Sequence, residues 1–185
     1  MAEERSIVFR WGCSLMLALG VSGAEAAPAQ PEVPETVYQW VQSSPRMNYF
    51  FNKEAMYYAI DGEGQIDQDT LVVPVVKTYD DIQIDDIRTK RRWRMEPNEM
   101  LEDLAGEANY LTIDLARGVV IVDAVDLLDS QLSTLEHSEP KREIVIVELS
   151  DKSREGIFYR AILEYEQEHR EEILTRTQKE QRNGQ

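Results

Sequence analysis

The sequence predicts an α+β fold: a mainly antiparallel sheet of short strands, one short helix, and a long C-terminal helix packed on the sheet. Three observations carry this. Aromatic and β-branched runs recur from Val37 to Leu149, divided by Pro, Gly, Ser and charged turns. The runs YLTIDL and VVIVDAV flank Ala116-Arg117-Gly118 in the manner of a hairpin. After Ser150 the residues Phe158, Ala161, Ile162 and Tyr165 fall at helical spacing.

The elements follow in order. Val37–Gln42 (VYQWVQ), Asn48–Asn52 (NYFFN) and Met56–Ile60 (MYYAI) read as short strands. Thr70–Tyr79 is a longer apolar run, and Pro74, lacking a backbone donor, predicts an edge strand or a bulge there. Asp80–Arg88 continues the alternation, with Ile82, Ile84 and Ile87 among aspartates. The short helix is expected at Glu96–Leu104, with Pro97 early and Gly106 just past the end. Leu132–His137 and Lys141–Leu149 complete the sheet. A helix over Asp151–Arg182 opens on Ser150 as N-cap, with Ser153 as the alternative. Beyond Glu166 only Ile173 and Leu174 interrupt a polar surface, so residues 166–185 are expected to be a polar helical tail that projects into solvent or meets a partner.

Residues 1–26 read as a secretory signal peptide. Arg5 and Arg10 give a basic start, Gly12–Val21 is an apolar run, and Ala24-Glu25-Ala26 sets small residues at the cleavage positions before Ala27. The run is too short to span a bilayer, which needs about 20 apolar residues. The expectation is an exported protein, periplasmic or at the cell surface, soluble after cleavage near Ala26. Residues 27–36 (APAQPEVPET) form a Pro-rich, extended tether, and 37–165 a single domain. The one cysteine, Cys13, leaves with the leader, so stability must come from packing alone.

Removing the leader takes away Arg5 and Arg10 against Glu3, Glu4 and Glu25, which moves the formal charge from −15 to −14. That argues against nucleic acid and anionic lipid surfaces as partners, since phosphate binding needs clustered Lys and Arg. The dense basic cluster Lys90-Arg91-Arg92-Trp93-Arg94 lies beside four aspartates. It is expected to pair internally, with Trp93 covering the core; an exposed anion-binding or partner-binding patch is the sharper alternative.

Other motifs point to chemistry only weakly. Asp61–Asp69 (DGEGQIDQD) imitates a calcium loop: with Gly64 as the central glycine, Asp61, Glu63 and Asp67 take ligand positions 3, 5 and 9. Positions 1 and 12 are then Ala59 and Thr70, so the segment reads as a hairpin loop, with a weak ion site as the alternative. Strand periodicity places Asp81 and Asp85 on one face, a solvated or edge-blunting pair. His137 and His169 are too scattered for a triad or a His-based metal site. The aromatics Tyr38, Trp40, Tyr49, Phe50, Phe51, Tyr57 and Tyr58 are expected to fill one sheet face as core. No catalytic, cofactor-binding or metal-ligating residue is singled out.

Trp40-Val41-Gln42-Ser43-Ser44, followed by Tyr49-Phe50-Phe51-Asn52-Lys53-Glu54-Ala55-Met56, resembles the opening of the surface-adhesin protein E family of small exported bacterial proteins. Leu71–Lys77 then corresponds to its long variable strand, Tyr110–Leu115 with Val119–Asp129 to its central hairpin, and Glu143–Tyr165 to its closing strand and helix. The likeness spans about residues 37–165. Gln83–Ala108 stands as an addition, and the cysteine pair of many relatives is missing. The resemblance implies an adhesin-like role and carries over no individual residue. The expected function is thus an exported, non-enzymatic envelope or surface binding protein for an unknown protein partner or surface ligand, without stable membrane insertion. A periplasmic accessory subunit binding through its C-terminal helix is the alternative, and a carboxylate-based enzyme ranks third.

Overall fold

The computed structural model describes residues 31–183. The leader, its cleavage site near Ala26 and the first part of the tether lie outside the described residues. Eight strands form one antiparallel sheet: β1 (Tyr38–Ser43), β2 (Met47–Asn52), β3 (Tyr57–Ile60), β4 (Ile66–Tyr79), β5 (Leu104–Asp114), β6 (Val119–Asp129), β7 (Thr134–Ser138) and β8 (Arg142–Val145). Among the described residues two α-helices join them, α1 (Asp81–Trp93) and α2 (Arg154–Asn183), with 3-10 turns at Glu99–Leu101 and Ile146–Glu148. The fold is α+β.

Long strands β4, β5 and β6 make the centre, and each flank is divided between two short strands. On one side β4 pairs with β2 over Val75–Tyr79 and with β3 over Ile66–Val72. On the other, β6 pairs with β8 over Val119–Val122 and with β7 over Val125–Leu128. The strand carrying Pro74 is therefore interior, against the edge expectation. Its proline is tolerated because Pro74 lies at the handover between β2 and β3, where neither neighbour pairs with β4.

Residues in register build the core. Tyr58, Leu71, Ile113, Val120 and Ile144 lie across five strands, and Val73, Leu111 and Val122 form the next row. Phe158, Tyr159, Ile162 and Ile173 of α2 cover this face. The N-terminal aromatics split by strand alternation: Tyr49, Phe51 and Tyr58 are buried, whereas Trp40 is 52% exposed.

Asp81–Trp93 is a helix, where the isoleucine alternation predicted strand. Ile82 and Ile84 fit a period of two, but Ile87 does not; Ile84 and Ile87 instead share a helical face against Tyr79, Leu101 and Leu104. Asp80 caps the helix by accepting from the Gln83 N–H at 2.7 Å, and Lys90, Arg91 and Arg92 complement its C-terminal dipole. Glu96–Leu104 holds only a 3-10 turn, and Leu104 already begins β5. Lys141–Leu149 is strand only over Arg142–Val145 before the turn at Ile146–Glu148. At α2 the alternative cap operates, Ser153 Oγ accepting from Gly156 N–H at 3.1 Å.

The polar second half of α2 does not project from the domain. At His169 the backbone leaves helical geometry (φ −117°, ψ 19°), and the ring Nδ1 donates to the Tyr165 carbonyl at 3.0 Å. A side chain competing for the helix ladder kinks it. The following turns lie along β3 and the β3–β4 loop. Ile173 and Thr177 are 0% and 1% exposed, and Thr177 Oγ1 accepts from the Tyr58 N–H at 3.1 Å. Arg176 donates to the Lys53 and Met56 carbonyls at 2.5 and 3.2 Å, and Gln181 donates to the Gly64 carbonyl. The tether is likewise held at its end: Val37 and Tyr38 N–H donate to the Pro34 carbonyl, and Lys53 Nζ to the Glu35 carbonyl.

Candidate functional site

The charged groups on the core face spend their polar atoms on one another. Lys77 Nζ donates to Glu107 Oε1 at 2.6 Å, and Tyr79 OH to Glu107 Oε2 at 2.5 Å. Hydrogen-bond logic orients the Asn109 amide with its oxygen toward Lys77 Nζ (3.1 Å) and its nitrogen toward Glu107. Burial pushes the Glu107 carboxyl up, but the Lys77 ammonium and the converging donors outweigh it, and the group sits below the ordinary carboxylate range. Burial, reinforced by the Glu107 charge, pushes the Tyr79 phenol well above its ordinary value. A Tyr58–Glu166 bond at 2.5 Å repeats the motif, and burial with that carboxylate pushes the Tyr58 phenol up to about 12. These are satisfied structural pairs. None has a free base or nucleophile.

Two other features face outward. The first is the C-terminal end of α1. Arg91 pairs as expected: its guanidinium makes two 2.9 Å bonds to the Glu136 carboxylate of β7 and donates to the Pro97 carbonyl at 3.0 and 3.2 Å. Arg88 donates to the Leu101 and Glu102 carbonyls. These two arginines fasten α1 and residues 94–102 to each other and to the sheet edge. Trp93, however, does not cover the core. It is 81% exposed and Met95 94%, with Arg92 and Arg94 also exposed beside them.

The backbone there is informative. Met95 N–H donates to the Arg92 carbonyl and Glu96 N–H to the Arg91 carbonyl, with Met95 at φ 57°. This is the Schellman geometry in which the left-handed residue is usually glycine. A side chain in that region costs roughly 1 kcal/mol or more, and this one is not offset by packing. A rigid base thus holds an apolar, Arg-flanked tip in water at a cost to the fold.

The second feature is an open groove of about 620 Å³ between β1 and the middle of α2. Val41, Ala161, Tyr165 and His169 contribute apolar surface, and Tyr165 stacks on His169 with ring centroids 3.9 Å apart. Phe51 meets Tyr165 edge-on. Glu164, Glu168 and Glu172 line one wall at four-residue spacing, with Glu54 across from them on the β2–β3 turn. Like charges so spaced destabilise a helix by about 0.2–0.5 kcal/mol per pair. Glu172 pairs with Arg176, but Glu164 and Glu168 have no ion-pair partner among the described residues. The one lysine lining the groove, Lys53, turns its Nζ to the Glu35 carbonyl.

The sequence motifs fall elsewhere. Of Asp61–Asp69, residues 61–65 are the β3–β4 hairpin loop and Ile66–Asp69 already belong to β4; Asp61 Oδ1 accepts from the Glu63 and Gln65 N–H groups, and Asp67 from Asp69 N–H and Thr70 Oγ1. Of the helix aspartates, Asp80 caps, Asp86 takes Lys90 Nζ at 2.8 Å, and Asp81 and Asp85 are exposed. His137 of β7 meets Asp126 at 2.6 Å, whereas His169 lies on α2 and stacks on Tyr165. Trp93 thus takes the exposed alternative rather than the expected place over the core, and no sequence motif marks the groove.

No helix among the described residues is long and apolar enough to cross a membrane. Comparison with protein-family models, curated protein sequences and solved structures finds no match.

Proposed function

We propose that the chain is an exported, non-enzymatic binding protein whose contact with a protein partner is made by the α1 tip, Arg92–Met95. The observation that carries this reading is the exposure of Trp93 and Met95 on a mount held by Arg88 and Arg91. Trp, Met and Arg are enriched in binding hot spots, and pre-organisation lowers the entropy lost on binding. The adhesin-like resemblance of residues 37–165 agrees with a binding role outside the cytoplasm. The accessory-subunit reading keeps its place with the contact moved from the C-terminal helix to α1, because the buried Ile173 and Thr177 are committed to the fold.

The test is photocrosslinking in cells, with a photoreactive phenylalanine analogue replacing Trp93, or replacing Val147 as an equally exposed control. An adduct specific to position 93 and lost in Arg92→Glu/Arg94→Glu supports the reading. Identical adducts, or none, at both positions overturns it.

A further inference from the structure

We infer that the partner engaged by the α1 tip is a second copy of this chain, the Arg92–Met95 tip of one molecule seating in the β1–α2 groove of the next. This deepens the proposed function and rests on it. Three observations converge. Arg92 and Arg94 flank an exposed indole and thioether, Arg94 sharing its charge with Glu96 at 3.1 Å, whereas Glu164 and Glu168 flank the Tyr165–His169 stack without ion-pair partners among the described residues. An arginine-flanked aromatic is complementary to an acid-walled aromatic surface in both apolar and electrostatic terms.

The second observation is topological. The sheet order β1-β2-β4-β5-β6-β7 puts the groove at one edge, on β1, and the tip at the other, where Arg91 is fastened to Glu136 of β7. The tip stands in water and none of the groove's lining residues comes from α1, so the two surfaces do not meet within one molecule. Between molecules they form a heterologous, head-to-tail contact that propagates as an open chain or closes as a ring.

The third is scale. The groove volume of about 620 Å³ lies within the range of sites that enclose a substantial ligand, and it receives one side-chain tip with its neighbours rather than a broad face. Such a contact is small and belongs to the weak, reversible class. The overall charge of −15 opposes association at long range, but at physiological ionic strength the screening length is about 8 Å. Charges in direct contact therefore count for more than the remote excess.

Sedimentation velocity on the protein purified as the cell produces it, from micromolar to near-millimolar concentration in 0.15 M salt, should show reversible, concentration-dependent species larger than the monomer. Arg92→Glu/Arg94→Glu and Glu164→Lys/Glu168→Lys should each lower the association constant at least tenfold, with unchanged far-UV circular dichroism. Mixing these two variants should restore association, because the unaltered tip of one meets the unaltered groove of the other and the reversed pair is again complementary. A wild-type monomer throughout, or variants that still associate alone, overturns the inference. A crosslink from position 93 to a different protein, together with a wild-type monomer, overturns self-association and leaves the proposed function standing. A crosslink from position 93 to the Glu164–Glu172 segment of another copy supports both.

Discussion

Ile173→Ala tests whether the distal half of α2 belongs to the fold. Ile173 is fully buried and belongs to the same core cluster as Met56 and Tyr58, beyond the His169 kink. Replacing a buried isoleucine by alanine costs about 2–5 kcal/mol, rising with the cavity that remains. Here the wall opposite is β3 and its turn, held by the Thr177–Tyr58 and Arg176–Lys53 bonds, so collapse is limited and about 3–4 kcal/mol is expected. For a domain of this size that lowers Tm by roughly 10 °C. The assay is urea unfolding followed by far-UV circular dichroism, because Trp40 and Trp93 are too exposed in the native state for fluorescence to report the core. Glu171→Ala, at an exposed position two residues away, should shift stability by less than about 0.5 kcal/mol. A projecting tail would make the two substitutions equivalent, and an Ile173→Ala effect no larger than that of Glu171→Ala refutes the docked helix. Deleting residues 166–185 should likewise unfold the protein rather than trim it.

Two further outcomes follow from the polar pairs. Lys77→Met leaves the Glu107 carboxylate mostly buried with only neutral donors, and should cost about 2–4 kcal/mol in urea unfolding, somewhat below the fully buried case because both side chains keep some exposure. The lowered Glu107 pKa makes the wild-type contribution complete above pH 4.5 and progressively lost as pH falls through the folded value; in Lys77→Met that dependence should vanish or invert. At His137 the sign is opposite. The hydrogen bond and charge of Asp126 raise the imidazole pKa, so its contribution is full below pH 6.5 and disappears as pH climbs through the raised folded value. His137→Gln should flatten the pH dependence of the urea midpoint between pH 6 and 8; a wild-type midpoint already flat there would contradict the pairing.

Most of the sheet was legible because strand periodicity is a local signal. YLTIDL and VVIVDAV pair in the register their alternation requires, with Ile113 opposite Val120 and Leu111 opposite Val122. Reading failed where two periodicities coincide or where tertiary contacts decide. Ile82 and Ile84 satisfy a strand, and only the Ile84–Ile87 spacing with Asp80 as cap reveals the helix. Pro74 looked like an edge signal because the split of one flank into β2 and β3, which leaves it unpaired on that side, is a long-range arrangement. The docked tail had a trace in the sequence, Ile173 and Thr177 at four-residue spacing, but the kink that lays them on β3 depends on the His169 ring bonding the Tyr165 carbonyl. Trp93 takes the exposed alternative rather than the core-covering position expected first. Nothing local distinguishes a tryptophan that covers a core from one that stands clear of it.

Leu132 and Lys141, in the turns beside β7, also adopt left-handed backbone, but at the two outward surfaces broken local rules coincide with exposed apolar side chains or charged ones unpaired among the described residues. At Met95 glycine would adopt the left-handed backbone without strain, and a polar residue at position 93 would remove an exposed indole; neither substitution would disturb the Arg91–Glu136 anchor. In the groove, a lysine at position 168 would turn a repulsive Glu164–Glu168 pair into an attractive one. Each change should stabilise the isolated fold, as expected where a sequence yields stability to something other than folding. The core, by contrast, is locally consistent: Lys77, Glu107, Tyr79, Tyr58 and Glu166 all find partners. The strain at exposed Met95 and the repulsion in the open groove are accounted for together by the proposed contact through those two surfaces.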